Sequence, residues 1–477
     1  MRITLTGATG LIGRALVPAL QRQGHTVVAW VRSAERARAR LGADVVLVED
    51  DGTDARLREA LTGADAVVNL AGESVLGGRW TARRRAALRT SRVDLTTRVV
   101  AAMRALPQAP RVFISGSAVG YYGNQGDRLL REESPAGNDF LAVLCRDWEA
   151  AAHAAADLCR VVTLRTGVVL ARDGGALPLM TPAFRLGVGG AAGSGRQFMS
   201  WIHLHDLVEI IVRALDDDRY AGPINAVAPS AVRATDFAHA VGAALRRPAW
   251  APLPAVVLRA VLGEAAGVLL DSQGAHPGRL LACGFPWRFR TLTAALTDLL
   301  RPDASVSIRP VDPARVPVHS YLAARPARYV LFSITTVGAP LSETFPFFAK
   351  PENLGLITPS AMQFLITKRP EAIGEHASID YRIRVSGVPM RWRTRIAAWE
   401  PDARFVDVQE SGPYRSWYHE HTFRADGART VMEDRVYYAP PFGLLGRLAH
   451  ALVIKRMLLG IFQHRQDVIR LRFGVPA

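Results

Sequence analysis

The sequence predicts two folded parts, a doubly wound α/β parallel sheet with a small helical lobe, and then an α+β unit with an antiparallel sheet and a long C-terminal helix. Three observations carry that prediction. From Met1 to about Ala228, apolar runs rich in Val, Ile and Leu alternate with helical patterns, as in a parallel sheet covered on both faces. Between Arg301 and Arg328 the periodicity fades into a proline-rich stretch. Beyond it, Ile379, Tyr381, Ile383 and Val385, then Met390, Trp392, Thr394 and Ile396, alternate with polar residues, the pattern of half-buried strands. A chain of 477 residues also exceeds the roughly 250–300 at which single cores stop growing.

In order, the predicted strands are Arg2–Thr6, Thr26–Val31, Asp44–Val48, Ala66–Leu70, Arg111–Ser115 and Arg160–Thr166, with helices such as Leu11–Gln23 and Arg83–Leu106 between them. The nucleotide-binding part is expected over residues 1–234, a helical substrate-side lobe over 235–302, a linker over 303–327 and the last unit over 328–477. Within that unit Phe405–Ser411, Tyr414–Phe423 and Thr430–Tyr438 continue the meander, with Gly412-Pro413 and Asp426-Gly427 as turns. One amphipathic helix, about Leu444–Phe473, ends the chain with Leu445, Leu448, Leu452, Leu459 and Phe462 as its expected apolar stripe.

Composition narrows the function classes. No apolar run approaches the roughly 20 residues of a membrane span, and no signal-peptide pattern precedes the first strand, so a cytoplasmic location and no integral membrane segment are expected. Cys145, Cys159 and Cys283 have neither metal-ligand spacing nor an even count and read as ordinary thiols. The formal charge of +16 is almost all arginine, spread along the chain; Lys350, Lys368 and Lys455 are the only lysines. The densest run, Arg83, Arg84, Arg85, Arg89 and Arg92, is spaced for a solvated helix flank, so no specific nucleic-acid partner is expected.

Gly7, Gly10 and Gly13 stand at a strand-to-helix junction. The first two let backbone approach a pyrophosphate, the third lets helix and strand pack, and the helix start favours negative charge. The second strand ends Trp30-Val31-Arg32-Ser33, without the carboxylate that accepts ribose hydroxyls in NAD enzymes. Arg32, with Arg36 nearby, can instead pair with a 2′-phosphate, so NADP(H) is favoured over NAD(H).

These residues, with Asp51-Gly-Thr-Asp54, Asn69-Leu-Ala-Gly72 and Ser115-Gly-Ser-Ala118, resemble the extended short-chain dehydrogenase/reductases. GESVLGGRW, SGSAVGYYG, LRTGVVLARDGG and GSGRQFMSWIHLHD resemble the atypical epimerase-like subfamily over roughly residues 1–300. The resemblance implies a Rossmann-type fold in which Gly7, Thr9, Gly10, Leu11 and Ile12 hold the pyrophosphate. It places Asp51 near the adenine, Leu70, Ala71 and Gly72 along the cofactor, and Ser117 on a substrate carbonyl or hydroxyl.

Active members of the broad superfamily use a tyrosine and a lysine four residues later, the lysine charge helping the phenol to exchange a proton. Here those positions fall on Leu141 and Cys145, and residues 1–349 contain no lysine. Three readings follow. Tyr121 or Tyr122 replaces the missing acid, though an adjacent pair before Gly123 also reads as packing beneath a loop; the domain binds NADP(H) without catalysis; or other residues assist an epimerisation or dehydration. Arg165 and Arg196 are the candidates for an anionic substrate, and Glu73 and Arg92 are read equally as substrate contacts or surface residues. His203, His205 and Asp206 match a family segment that closes over substrate, and no metal is expected.

The last unit resembles a START-type (SRPBCC) helix-grip domain, which implies an apolar-ligand cavity. Phe345, Phe348, Met362, Phe364, Trp392 and Trp417 are candidate walls, or equally plain core. His419, Glu420 and His421 alternate in facing, so at most two point into one cavity, which weighs against a metal or acid–base site. The basic residues Arg447, Lys455, Arg456, Arg465, Arg470 and Arg472 fit a helix that touches a membrane surface or, the preferred reading, one packed on its own sheet. The whole reads as an NADP(H)-binding epimerase-like oxidoreductase of open substrate and oligomeric state, coupled to an apolar-ligand domain; the alternative is a non-catalytic NADP(H)-responsive binding protein.

Overall fold

The computed structural model describes residues 1–42, 44–301, 305–370, 373–385 and 387–474. They form two compact units, residues 1–37 with 45–301, and residues 38–44 with the described part of 302–477.

In the first unit, β1 (Arg2–Thr6), β2 (Thr26–Val31), β3 (Val46–Glu49), β4 (Ala66–Asn69), β5 (Val112–Ala118), β6 (Arg160–Thr166) and β7 (Gly222–Ala226) form one parallel sheet ordered β7-β6-β5-β4-β1-β2-β3. The Val- and Ile-rich runs form central strands because both faces are covered. Val28, Val67 and Phe113 are buried with Leu57, Leu61, Val99 and Met103 from two helices on one side. On the other, α1 (Leu11–Arg22) packs beside the helix Leu204–Asp216.

The helix expected over Arg83–Leu106 is interrupted. Ala82–Arg89 and Leu95–Arg104 are α-helical, and Thr90–Asp94 forms a wider π turn. There Ser91 Oγ donates to the Leu88 carbonyl at 3.1 Å, so a side chain competes for that acceptor. The arginine run is engaged more than a solvated flank would be. Arg85 pairs with Glu264, Arg89 with Asp147 and Arg84 with the Ser74 carbonyl, while Arg92 is largely buried.

In the second unit, β8 (Val306–Pro310), β9 (Tyr329–Val337), β10 (Leu365–Lys368), β11 (Ser378–Val385), β12 (Val388–Glu400), β13 (Arg404–Ser411), β14 (Ser416–Asp426) and β15 (Arg429–Ala439) form an antiparallel sheet ordered β8-β9-β15-β14-β13-β12-β11-β10. The segment expected as a linker therefore contributes structure. β8 pairs with β9 at the sheet edge, where Pro310 costs no interior ladder bond, and Ser320–Ala324 is helical.

The final helix also departs from expectation. After Gly443–Ala449, a π turn at His450–Ile454 leads into α2 (Lys455–Phe473), which lays Leu458, Phe462, Ile469 and Phe473 on the sheet. Leu445, Leu448 and Leu452, expected in one buried stripe with Phe462, are instead exposed. The extra residue in the π turn breaks the 3.6-residue phase that the stripe requires.

Candidate functional site

Strand order reverses between β1 and β4, so the loops leaving their carboxyl ends diverge and open a crevice. Thr6 is the register partner of Asn69, which brings the glycine turn against Leu70–Gly72. Gly7 has φ +72°, and a Cβ there would lie 2.6 Å from the Leu70 carbonyl carbon. A Cβ on Gly13 would lie 2.4 Å from the Gly7 oxygen. Side chains are thus excluded by backbone on both sides. Helix α1 starts after Gly10 without a side-chain cap, leaving its first N–H groups to an outside acceptor; Thr9, Leu11 and Ile12 surround that start. Beneath it, Thr6 Oγ1 donates to Asn69 Oδ1 at 2.6 Å, and Thr96 Oγ1 accepts from Asn69 Nδ2 at 2.8 Å and Trp148 Nε1 at 2.9 Å.

Arg32 stands just past β2 with its side chain 87% exposed, touching Glu73 Oε1 at 3.3 Å. Asp51 is exposed, and its Oδ1 accepts from Thr53 N at 2.8 Å and Thr53 Oγ1 at 2.6 Å, bonds that hold the carboxyl below its usual range. Arg92 braces the loop after β4, donating to the Glu73 carbonyl at 2.8 Å with its guanidinium over the Trp148 ring.

A second cluster lies at the carboxyl ends of β5, β6 and β7. Register aligns Ser117 with Arg165 and Arg165 with Asn225, and the helix Phe140–His153 adds Glu149. Ser117 Oγ donates to Glu149 Oε1 at 2.6 Å, and Arg165 donates to both Glu149 oxygens at 2.8 Å. Arg165 Nη1 also donates to Tyr122 OH at 3.0 Å and the Glu132 carbonyl at 2.8 Å. At 3% exposure and with four hydrogen bonds, Arg165 holds this cluster together instead of presenting itself to a substrate anion. Arg196 lies apart, exposed at the surface.

The two tyrosines differ. Tyr122 is fully buried; its hydroxyl donates toward Asn225 Oδ1 at 2.7 Å, and burial, partly offset by Arg165, pushes it up to about 12. That removes it from proton exchange near neutral pH. Tyr121 is half-buried, its ring stacked 3.5 Å from the Arg165 guanidinium carbon, and its hydroxyl has no hydrogen-bond partner among the described residues. Leu141 packs against the buried cluster of Leu88, Val93, Leu144 and Trp148, while burial, reinforced by Glu149, pushes the Cys145 thiol up to about 12. Neither supplies an acid or base.

Glu149 escaped the sequence reading as a functional residue. The available signal was its place on the same helix four residues after Cys145, among apolar neighbours. His203, His205 and Asp206 have separate tasks. His203 Nδ1 accepts from His205 N at 3.1 Å, and Asp206 accepts from Arg288 N and Phe289 N at 2.9 and 3.0 Å.

The second unit has a partly open cavity of about 320 Å³. Phe348, Met362, Phe364, Trp392 and Trp417 line it. Phe345 does not, because it packs with Trp399 and Phe423 at centroid distances of 5.4 and 5.1 Å. His419 and His421 face the cavity with Asp407, whereas Glu420 turns away and pairs with Arg404 at 2.7 Å. Burial and the neighbouring His421 push His419 down to about 4.

The NAD dependent epimerase/dehydratase family model matches residues 3–226, and a domain of unknown function, DUF1731, matches 253–299, the helical lobe. The epimerase family protein SDR39U1 of Bos taurus is 40% identical over 305 residues, 63% of this chain and 100% of that protein. The chain belongs to this epimerase family. An SDR39U1 homologue of Arabidopsis thaliana, described as chloroplastic, is 38% identical over 307 residues, 63% of this chain and 87% of its own length. The crystal structure of human SDR39U1 with NADPH superposes with a TM-score of 0.58 at 38% identity, covering 63% of this chain and 99% of that one. A nucleoside-diphosphate sugar epimerase from Corynebacterium glutamicum gives 0.51 at 35% identity, covering 63% and 58%. No helix among the described residues is long and apolar enough to cross a membrane.

Proposed function

We propose that the first unit of this epimerase-family chain binds NADP(H) in the crevice between β1 and β4 and acts as an oxidoreductase on a small substrate beside Ser117. One observation carries the reading: the backbone of Gly7, Gly13 and Leu70 approaches too closely for any side chain, next to an uncapped helix start. Such a cradle fits a pyrophosphate. The NADPH in the human relative supports the same cofactor class. Arg32 favours the 2′-phosphate, whose charge competes with Glu73 for the guanidinium.

When bound, NADP(H) supplies or accepts a hydride. The chain's own residues do the rest. Glu149 fixes the Ser117 hydroxyl, and Arg165 fixes Glu149. Tyr121 is the phenol with a hydroxyl available to a substrate oxygen, so it replaces the Tyr-x-x-x-Lys pair as proton carrier. The second unit is read as a helix-grip domain whose cavity takes an apolar ligand; 320 Å³ lies at the small end for ligand pockets.

The competing reading is a non-catalytic NADP(H)-responsive protein, favoured by Leu141 and Cys145 at the usual acid positions. Calorimetric titration with NADPH and NADH, repeated on Arg32→Glu, tests the cofactor assignment. NADPH binds more tightly to the native chain and loses that advantage in the variant; tighter NADH binding by the native chain refutes it. A carbonyl panel followed by NADPH absorbance, with Ser117→Ala, Tyr121→Phe and Tyr122→Phe, tests turnover. Tight NADPH binding with no turnover across the panel leaves the binding-protein reading.

A further inference from the structure

The second unit contains a polar cluster that the apolar-ligand reading does not use. Antiparallel register sets Asp407 of β13 opposite His419 of β14, and His421 of β14 opposite Asp434 of β15. Asp407, His419 and His421 line the cavity, with Asp434 and both histidines buried and Asp407 nearly so. Asp407 Oδ2 is 2.9 Å from His421 Nε2 and 3.5 Å from His419 Nδ1. On the other side, Asp434 Oδ1 is 3.2 Å from His419 Nε2 and 2.8 Å from His421 Nδ1. Every imidazole nitrogen therefore faces a carboxylate oxygen.

Two neutral imidazoles carry only two protons for these four nitrogens. Arg465 Nη2 can only donate, so its 3.1 Å contact makes His421 Nδ1 an acceptor and puts the His421 proton on Nε2, toward Asp407 Oδ2. His419 Nε2 donates to Asp434 Oδ1 at 3.2 Å and leaves the His419 Nδ1 lone pair facing Asp407 Oδ2 across 3.5 Å. Potential ligand atoms of Asp407, His419 and His421 lie within 4.8 Å of one another. Charge points the same way. Two carboxylates are opposed by one guanidinium, Arg465, whose Nη2 lies 3.1 Å from Asp434 Oδ1 and 3.1 Å from His421 Nδ1. The fixed charges of the cluster, two carboxylates against one guanidinium, favour a cation over an anionic ligand head.

We propose that Asp407, His419 and His421 bind one divalent transition-metal ion, with Asp434 holding both imidazoles in the ligating tautomer. The ion takes the place of the proton between His421 Nε2 and Asp407, and that proton moves to His421 Nδ1, 2.8 Å from Asp434 Oδ1, so the imidazole stays neutral. Two nitrogens and one carboxylate oxygen suit zinc or ferrous iron. A carboxylate behind metal-bound histidines is the usual outer support of such sites, and here one oxygen serves both rings. Because only three protein ligands converge, the remaining coordination positions open toward the cavity, as in metal sites that act on a bound molecule. The inference stands apart from nucleotide binding by the first unit.

The test uses the full chain, stripped with a chelator and titrated with Co²⁺ while its visible d–d bands are recorded, with Zn²⁺ as competitor. One equivalent of Co²⁺ is expected to saturate the bands, and Zn²⁺ to abolish them. His419→Ala and His421→Ala each remove the bands. Asp434→Asn weakens binding about 10–100-fold through the imidazoles it supports. His203→Ala, in the first unit, changes nothing. Folded native chain that gives no bands in excess Co²⁺ overturns the proposal by itself, as does a His419→Ala/His421→Ala double variant that still binds. Should those variants fail to fold, the imidazole nitrogen resonances of the native chain decide it: Co²⁺ that binds without shifting or broadening His419 and His421 overturns the assignment.

Discussion

Replacing Glu149 by alanine strips the first unit of the carboxylate that joins Ser117 to Arg165. Glu149 is 6% exposed and Arg165 3%, and their two N–H···O contacts are both 2.8 Å. Removing one partner of a buried pair leaves an uncompensated charge, at a cost of about 3–5 kcal/mol. The loss of the Ser117 bond lies within that range. Tyr122 and the Glu132 carbonyl still hold Arg165 Nη1 but carry no formal negative charge. The assay is native-state hydrogen exchange of the amides in β5 and β6, which reports the opening of this sheet separately from the second unit. At about 1.4 kcal/mol per tenfold, exchange there accelerates by about a hundredfold to a few thousandfold. Glu149→Leu combined with Arg165→Met recovers much of the loss, because an apolar pair of similar volume needs no counter-charge. Glu149→Ala with less than about 1 kcal/mol of effect refutes the argument that this pair is buried and coupled.

Three other outcomes are expected. Tyr122→Phe leaves Asn225 Oδ1 without its 2.7 Å donor and costs about 1–3 kcal/mol in urea unfolding, while any turnover is affected only through stability. Gly13→Ala, with its Cβ 2.4 Å from the Gly7 oxygen, forces the turn apart and weakens NADPH at least about tenfold by calorimetry, since the cradle depends on that close approach. For Asp298, burial raises the carboxyl, but His203, whose Nε2 approaches its Oδ2 to 3.4 Å, together with the charges of Arg172 and Arg288, outweighs it and holds the group below its usual range. Its folded value is depressed, so its contribution is present above the ordinary carboxylate range and lost as pH falls through the folded value. Asp298→Asn therefore flattens the acid-side fall in the melting temperature, and an unchanged profile refutes the coupling.

Much of the architecture was legible because it rests on local periodicity. The runs around Val28, Val67 and Phe113 are apolar throughout, and a strand covered on both faces has no other pattern. The alternation from Ile379 to Ile396 likewise announced a half-buried antiparallel sheet. Two misreadings have separate causes. The proline-rich segment hid β8, because an edge strand tolerates prolines that an interior strand does not. The stripe ending in Phe462 assumed an unbroken 3.6-residue period, which the π turn at His450–Ile454 removes.

The candidate sites divide along the same line. Gly7, Gly10 and Gly13 sit within one strand–turn–helix, so their spacing alone pointed to a phosphate cradle, and Arg32 followed from its place at the end of β2. Glu149 could not be read that way. Its partners Ser117 and Arg165 are 32 and 16 residues distant and meet only because β5 and β6 pair in that register. The same holds for His419 and His421. Their alternation with Glu420 was visible along one strand, but Asp407 and Asp434 come from the strands on either side. Periodicity records which face a residue takes, and the chain carries that locally. Which charge stands opposite which is a matter of register between distant segments, and packing alone chooses it.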